Sequence, residues 1–140
     1  MKVCGIEIKG SEAIIAVAEI EDGEISHSQL DTKRIALQDD EDTGQVKSFS
    51  ALVSGFARDN TIECIAIKKR SKKGEFAGGP VTFKIEGIIQ LAGDCGVILL
   101  PSATISAANR KYKFDIPKSL NKYQHEAFLT ACTAIMKSTK

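Results

Sequence analysis

A chain of 140 residues, with 43% hydrophobic and 26% charged side chains, has the size of one folded domain, and this composition excludes a mainly disordered polypeptide. No apolar run approaches the roughly 20 residues that cross a membrane, and no export signal opens the chain. We therefore expect one soluble, cytoplasmic domain over residues 1–140, without a membrane partner. The net charge is only +1, but residues 1–60 carry 12 acidic and 6 basic side chains, whereas residues 101–140 carry 2 acidic and 7 basic side chains. This uneven distribution allows a local basic face.

The first half of the chain predicts an antiparallel meander followed by a helix. Val3–Ile8 and Ala13–Ile20 are apolar runs with turn residues after each, and an Asp-Gly turn then introduces a third, more polar strand over Ile25–Ile35. Behind the acidic stretch Asp39–Asp42, apolar spacings of three and four predict a helix from about Thr43 to Asn60. The acidic stretch complements the helix dipole, and a cation site there is the alternative.

The second half alternates short buried strands with helices. Nearly continuous apolar runs are typical of strands that are covered on both faces, and helical periodicity follows each of them. A capping-box pair, Asn121 and Gln124, predicts the start of the last helix. The other predicted elements are the strand Ile62–Ile67, the helix from Pro80 to Gly96, the strand Val97–Leu100 and a short helix over Ala103–Asn109 that is capped by Ser102.

This order predicts an α/β fold with a mixed five-stranded sheet and helices on both faces. Three antiparallel strands come first, and two parallel strands are then added through right-handed crossovers. The first strand, Val3–Ile8, should therefore be central, with Ala13–Ile20 antiparallel on one side and Ile62–Ile67 parallel on the other.

Several motifs resemble those of RuvC-type Holliday-junction resolvases. The opening GIEIKGS is similar to the first strand of that family, which ends in Gly-Ile-Asp-Pro-Gly, and VILLPS and HEAFLTACTA follow in the corresponding order. The resemblance implies a ribonuclease H-like fold over nearly the whole chain. The length and the overall residue pattern also resemble a family of short bacterial proteins in this superfamily that has no established activity.

The resemblance implies a partial acid site. In that fold, carboxylates from the first strand, the fourth strand and the last helix hold two divalent cations. Glu7 and Glu126 match the first and last of these positions, which implies catalytic and metal-binding roles for the pair, with Mg²⁺ or Mn²⁺ as the cofactor. At the fourth-strand position the chain reads Lys68-Lys69-Arg70, so an ammonium group should repel metal ions or pair with Glu7. Glu86, in the following helix, can replace the missing fourth-strand acid only if its side chain faces the carboxyl end of the sheet.

Two basic segments are candidate nucleic-acid contacts. The first basic segment, Lys68–Lys73, precedes a helix N-terminus, and the second basic segment, Arg110–Phe114, interleaves cations with aromatic rings, which suits single-stranded nucleic acid. Both should lie at the carboxyl end of the sheet, and solvated surface charge is the alternative for each. The candidate residues are Lys68, Lys69, Arg70, Lys72 and Lys73 in the first segment and Arg110, Lys111, Tyr112 and Lys113 in the second.

The leading functional hypothesis is a RuvC-like protein that binds single-stranded or branched nucleic acid weakly. Its reduced acid set predicts weak or absent metal-dependent nuclease activity. One alternative is an interaction module or homodimer without catalysis. Another is an active divalent-metal nuclease in which a third acid joins Glu7 and Glu126.

Overall fold

A computed structural model describes residues 1–70 and 79–138, and in it a mixed sheet is covered by helices on both faces. No helix of these two ranges is long and apolar enough to cross a membrane. The strands are β1 (Lys2–Lys9), β2 (Glu12–Glu21), β3 (Glu24–Ser28), β4 (Arg34–Ala36), β5 (Cys64–Lys68) and β6 (Gly96–Leu100). The helices are α1 (Thr43–Asp59), α2 (Pro80–Ala92), α3 (Ser102–Tyr112) and α4 (His125–Ser138), and a 3₁₀ turn over Lys122–Gln124 leads into α4.

The strand order is β3-β2-β1-β5-β6, with β4 also paired to β2. β1 is central, antiparallel to β2 and parallel to β5, which confirms the predicted topology. The sheet has six strands and not five, because the predicted third strand is divided into β3 and β4. β2 is ten residues long and pairs with β4 near its start and with β3 near its end, so the polar segment between them leaves the sheet and returns.

β1 separates two hydrophobic cores because its side chains alternate between the two faces of the sheet. On one face, Ile6 packs with Phe49 of α1 and Ile85 of α2. On the other face, Val3 packs with Phe128 of α4, and α3 lies against α4. The face of β1 that carries Val3 is therefore the face on which a residue of α4 can approach the strand.

α4 lies unusually close to β1. A Cβ atom on Gly5 would be 1.8 Å from the carbonyl oxygen of Ala127, so only glycine allows the helix to approach the strand this closely. The predicted capping box between Asn121 and Gln124 is present at the entrance to α4. The Gln124 amide also donates a buried hydrogen bond of 2.8 Å to the Ile15 carbonyl of β2, which anchors the start of the helix over the sheet.

Two helix ends differ from the prediction. α2 ends at Ala92 and not near Gly96, because Gly93 is extended with φ −76° and ψ 117°. α3 continues to Tyr112, three residues beyond Asn109, so most of the second basic segment is helical. The expected serine cap of α3 is also wrong, since Pro101 occupies the N-cap position in an extended conformation.

Candidate functional site

The carboxyl ends of β1 and β5 bring Glu7 and Lys68 together. Ile6 pairs with Ile67 across the two parallel strands, so the next residue of each strand emerges at the same edge. Both side chains lie on the face that is covered by α4, whose first turn carries Glu126. The structure thus brings the two predicted acids to one place, with a lysine between them.

The Lys68 ammonium bridges the two carboxylates. Its Nζ atom is 2.7 Å from Oε1 of Glu126 and 3.6 Å from Oε2 of Glu7. The Glu7 side chain is 5% exposed and that of Lys68 is 17% exposed, whereas 44% of Glu126 is exposed. Lys9 lies farther out, with Nζ 3.9 Å from Oε1 of Glu7. Glu7 is therefore a buried carboxylate whose nearest counter-charge is the protein's own ammonium group.

Glu7 is only partly satisfied. Its Oε1 atom is buried and accepts no hydrogen bond from the described part of the chain. Buried carboxylate oxygens usually have hydrogen-bond partners, because removing them from water is costly. This oxygen is suited to a cation, and the Lys9 ammonium already lies 3.9 Å from it.

The rest of the site does not fit a pair of divalent ions. Within residues 1–70 and 79–138, no group of three or more histidine, cysteine, aspartate or glutamate side chains could hold a metal ion. Glu86 does not complete the acid set, since its neighbour Ile85 packs in the core on the opposite face of the sheet from α4. The Lys68 ammonium also lies between the two carboxylates, with a hydrogen bond of 2.7 Å to Glu126 and an ion pair of 3.6 Å with Glu7.

The first basic segment begins at this edge. Lys68 is bound to the acids, Lys69 is exposed and Arg70 is half-buried, while Lys72 and Lys73 lie outside the described residues. The Lys69 amide donates to the Leu100 carbonyl at 2.8 Å, which places the segment beside the end of β6 and the start of α3.

The second basic segment lies at the other end of the sheet, so the expectation that both segments share one edge is wrong. Tyr112 lines a groove with Met136 in the last turns of α4, whereas Glu126 is in the first turn. Ser138, which ends α4, contacts the Met1 sulfur at the amino end of β1. Ten residues of helix separate Glu126 from Met136, or about 15 Å. The reason is the length of α3, which carries the segment back across the sheet.

Thiol and imidazole chemistry is not favoured. All four cysteines, each within the described ranges, are free thiols, and burial raises the pKa of Cys132 to about 12 and also raises that of Cys4. His27 Nδ1 is 2.9 Å from Ser119 Oγ, and burial followed by the charge of Lys33 lowers its pKa. A nucleophilic cysteine needs a lowered pKa, so these thiols are not suited to nucleophilic chemistry.

A protein-family model described as "Protein of unknown function (DUF3010)" matches residues 1–134. The chain belongs to this family. The match covers β1 to most of α4, and hence both Glu7 and Glu126 of the DUF3010 chain. A comparison with curated proteins gives no match.

Solved structures show the fold of the DUF3010 chain. RuvC from Thermus thermophilus has a TM-score of 0.77 at 12% identity, covering 99% of this chain and 96% of RuvC. RuvC from the same organism in complex with Holliday junction substrate has a TM-score of 0.74 at 13% identity, with 99% and 95% covered. The Fowlpox virus resolvase in complex with substrate Holliday junction DNA has a TM-score of 0.59 at 13% identity, with both chains fully covered. The predicted ribonuclease H-like fold is confirmed.

Sequence reasoning missed two residues that shape the site of the DUF3010 chain. Gly5 sets the distance between β1 and α4, and a glycine inside a strand is itself a signal of close backbone approach. Lys9 adds a second positive charge near Glu7. Its position two residues along the same strand places it on the same face, which the alternation of β1 could have indicated.

Proposed function

We propose that this DUF3010 chain is a RuvC-like nucleic-acid-binding domain with a reduced acid set and weak or no metal-dependent nuclease activity. The observation that carries the proposal is the Lys68 ammonium, 2.7 Å from Glu126 and 3.6 Å from Glu7. In this position the lysine serves as the counter-ion of both acids.

Electrostatics oppose a divalent ion beside Lys68. Two unit charges 4 Å apart at an effective dielectric constant of about 20 interact by about 4 kcal/mol, so a divalent ion would be repelled by up to about 8 kcal/mol. Displacing the lysine instead would break its ion pairs with Glu7 and Glu126 and leave the partly buried ammonium group without them. Both routes weaken Mg²⁺ or Mn²⁺ binding at Glu7 and Glu126.

Nucleic-acid binding is supported by the fold and by the positive charges of Lys69 and Arg70 at the carboxyl edge. Two solved relatives of this fold are described in complex with Holliday junction DNA. Beside the acid site, Lys69 is exposed and Arg70 is half-buried. We infer that the first basic segment contacts phosphates of single-stranded or branched nucleic acid, with affinity that falls as salt rises. The second basic segment would make a separate contact.

The metal part of the proposal is tested with Lys68→Met. Mn²⁺ should leave the melting temperature of the wild type unchanged, whereas the variant should gain Mn²⁺-dependent stability because Glu7 and Glu126 lose their counter-ion. Lys68→Arg keeps the charge and should behave like the wild type. The double variant Lys68→Met/Glu7→Gln should not show the gain. Stoichiometric Mn²⁺ binding to the wild type by calorimetry, with metal-dependent cleavage of a four-way junction, would overturn it.

The nucleic-acid part is tested by fluorescence polarisation with a four-way junction and a single-stranded oligonucleotide at several salt concentrations. Removal of one phosphate-binding cation by Lys69→Ala or Arg70→Ala should reduce the logarithmic salt slope by roughly 0.7–0.9. Lys47→Ala removes an exposed lysine of α1, on the opposite face from α4, and should leave the slope unchanged. No binding at low ionic strength would refute this part.

A second candidate function is an interaction module or homodimer without catalysis, and exposed apolar side chains on α2 and on the edge strand β6 favour it. Leu91 of α2 is 88% exposed, and Ile98 of the edge strand β6 is 38% exposed. β6 carries no charged residue that would discourage pairing with another strand. Sedimentation of the wild type and of Leu91→Lys measures this, since a homodimer that buries Leu91 should dissociate in the variant.

An active nuclease is the third candidate, and the buried, unbonded Oε1 atom of Glu7 favours it. The Mn²⁺ titration and cleavage assay described above separate it from the leading proposal. Glu7→Gln should then abolish both the binding of Mn²⁺ and the cleavage of the junction.

A further inference from the structure

A groove lies at the amino end of the sheet, remote from Glu7 and Glu126. It is bounded by the β2–β3 turn, the segment after α3 and the last turns of α4, and it has a volume of about 480 Å³. Small-molecule sites usually measure roughly 300–1,000 Å³. Residues that line this amino-end groove include Glu24, Ile25, Tyr112, Phe114, Asp115 and Met136.

Two aromatic rings form one wall of the amino-end groove. Tyr112 and Phe114 are stacked, with ring centroids 5.8 Å apart and an angle of 29° between the ring planes. Lys113 between them is left-handed, with φ 49° and ψ 61°, which turns the chain so that both rings lie on one side. A non-glycine residue in this region is strained, and such strain persists where the surroundings hold it and is concentrated at functional sites.

Lysine ammonium groups and carboxylates both lie near the two aromatic rings. Lys111 Nζ lies 5.1 Å from the centroid of the Tyr112 ring, and a smaller adjoining hollow of about 180 Å³ is lined by Lys111 and Lys137. Lys113 is exposed on the groove itself, as are the two carboxylates of Glu24 and Asp115. The lysines suit a phosphate at the rim, and the carboxylates repel a phosphate from the interior but accept hydrogen bonds from amino groups.

We propose that the amino-end groove binds one unpaired base of single-stranded nucleic acid, with the neighbouring phosphate at the lysine rim. The base stacks on the Tyr112 side of the aromatic wall, where it displaces the Lys111 ammonium, 5.1 Å from the ring centroid, toward the phosphate. Asp115 and Glu24 accept hydrogen bonds from an exocyclic amino group, so cytosine, adenine and guanine are preferred over thymine and uracil, which lack one. This site deepens the proposed function and rests on it.

The distance between the groove and the first basic segment sets a length requirement. The two regions are about 15 Å apart along α4. A strand in duplex geometry advances about 3.4 Å per phosphate along its axis and a single strand is more extended, so about five nucleotides are enough to reach both. Shorter oligonucleotides therefore occupy the groove alone, and longer ones gain the additional contact with Lys69 and Arg70.

The test compares labelled oligo(dC) and oligo(dT) of ten nucleotides by fluorescence polarisation at low salt. The wild type should prefer oligo(dC) by about fivefold, as expected for one exposed hydrogen bond to a charged acceptor. Asp115→Asn should abolish this preference, whereas Asp31→Asn, at an exposed site outside the groove, should retain it. Tyr112→Ala should weaken both oligonucleotides by roughly 5- to 150-fold without changing the salt slope, and Tyr112→Phe should bind like the wild type.

The possible outcomes distinguish binding in the amino-end groove from binding by the first basic segment at the carboxyl edge of the sheet. If Tyr112→Ala, or Tyr112→Leu where the alanine variant does not fold, binds like the wild type while Lys69→Ala loses binding, the groove proposal fails and the proposed function stands. Equal affinity for oligo(dC) and oligo(dT) overturns the role of Asp115. No binding of any oligonucleotide refutes both proposals. Self-association that Tyr112→Ala removes would overturn the base site and assign the groove to a second copy of the chain.

Discussion

Substitution of Gly5 by alanine should separate the last helix from the first strand. The new Cβ atom would lie 1.8 Å from the Ala127 carbonyl oxygen and 2.8 Å from the Ala131 amide nitrogen. Ordinary contact begins at 3.4 Å, so α4 must retreat by about 1.6 Å. The obstructing atoms are backbone atoms of a buried helix, and rotation of a side chain cannot relieve the clash.

The cost follows from the weaker packing of the displaced helix. A radial gap of 0.5–1 Å already forfeits about a quarter to a half of the van der Waals attraction, and overpacking typically costs about 1–3 kcal/mol. Because α4 is buried along most of its length, we expect Gly5→Ala to lower the free energy of unfolding by about 3 kcal/mol. The retreat would also lengthen the 2.7 Å contact between Lys68 and Glu126.

Urea denaturation followed by circular dichroism measures the effect, with Gly87→Ala as the matched control. Gly87 lies within α2, and a Cβ atom there would have no described atom within 4 Å. The control should therefore raise stability by up to about 1 kcal/mol, the helix preference of alanine over glycine. A Gly5→Ala variant as stable as the wild type would refute the close approach of α4 to β1.

Two further changes test local features of the fold. Thr61 has φ 52°, a backbone conformation that is strained for a β-branched residue. Thr61→Gly should therefore raise the free energy of unfolding by about 1 kcal/mol in the same denaturation experiment. Thr61→Ala should give a smaller gain. Burial and the charge of Lys33 lower the pKa of His27, so the native state disfavours the protonated imidazole. The contribution of neutral His27 to the free energy of unfolding is complete above the unfolded pKa of about 6.5. It is lost as the pH falls through the lowered pKa of the folded state. Stability measured between about pH 7.5 and about pH 5.5 should fall less in His27→Gln than in the wild type, and equal slopes would contradict this role.

The topology could be predicted from the sequence because each element is locally consistent with the fold. The apolar run of β5 and the helical period after Pro80 are typical of a parallel crossover, and the Asn121–Gln124 pair marks the start of α4. The ion pair was also predictable, since a lysine at the end of β5 must emerge beside an acid at the end of β1. These inferences depend on strand alternation and register, which are short-range rules.

The location of the second basic segment could not be predicted in the same way. It depends on where α3 ends, and helix ends are determined by local backbone choices that the hydrophobic pattern does not encode. The αL conformation of Lys113, which ends α3, is rare for a lysine and has no sequence signal. Three more helical residues than expected, about 4.5 Å, help to carry Tyr112 to the amino end of the sheet. The split of the third strand is a similar case, because it depends on the length of its partner β2.

The packing of α4 on β1 also has a consequence for biosynthesis. Gly5 and Ala127 touch in the folded domain, but about 120 residues are added to the chain between them. At a synthesis rate of about 5–20 residues per second, the strand waits roughly 6–24 s for the helix that covers it. During that time the β1–β2 hairpin can form, yet its apolar face stays open to water and to other nascent chains. Slow translation of the last third of the message should therefore increase aggregation of this protein, even though the finished domain buries most of that face.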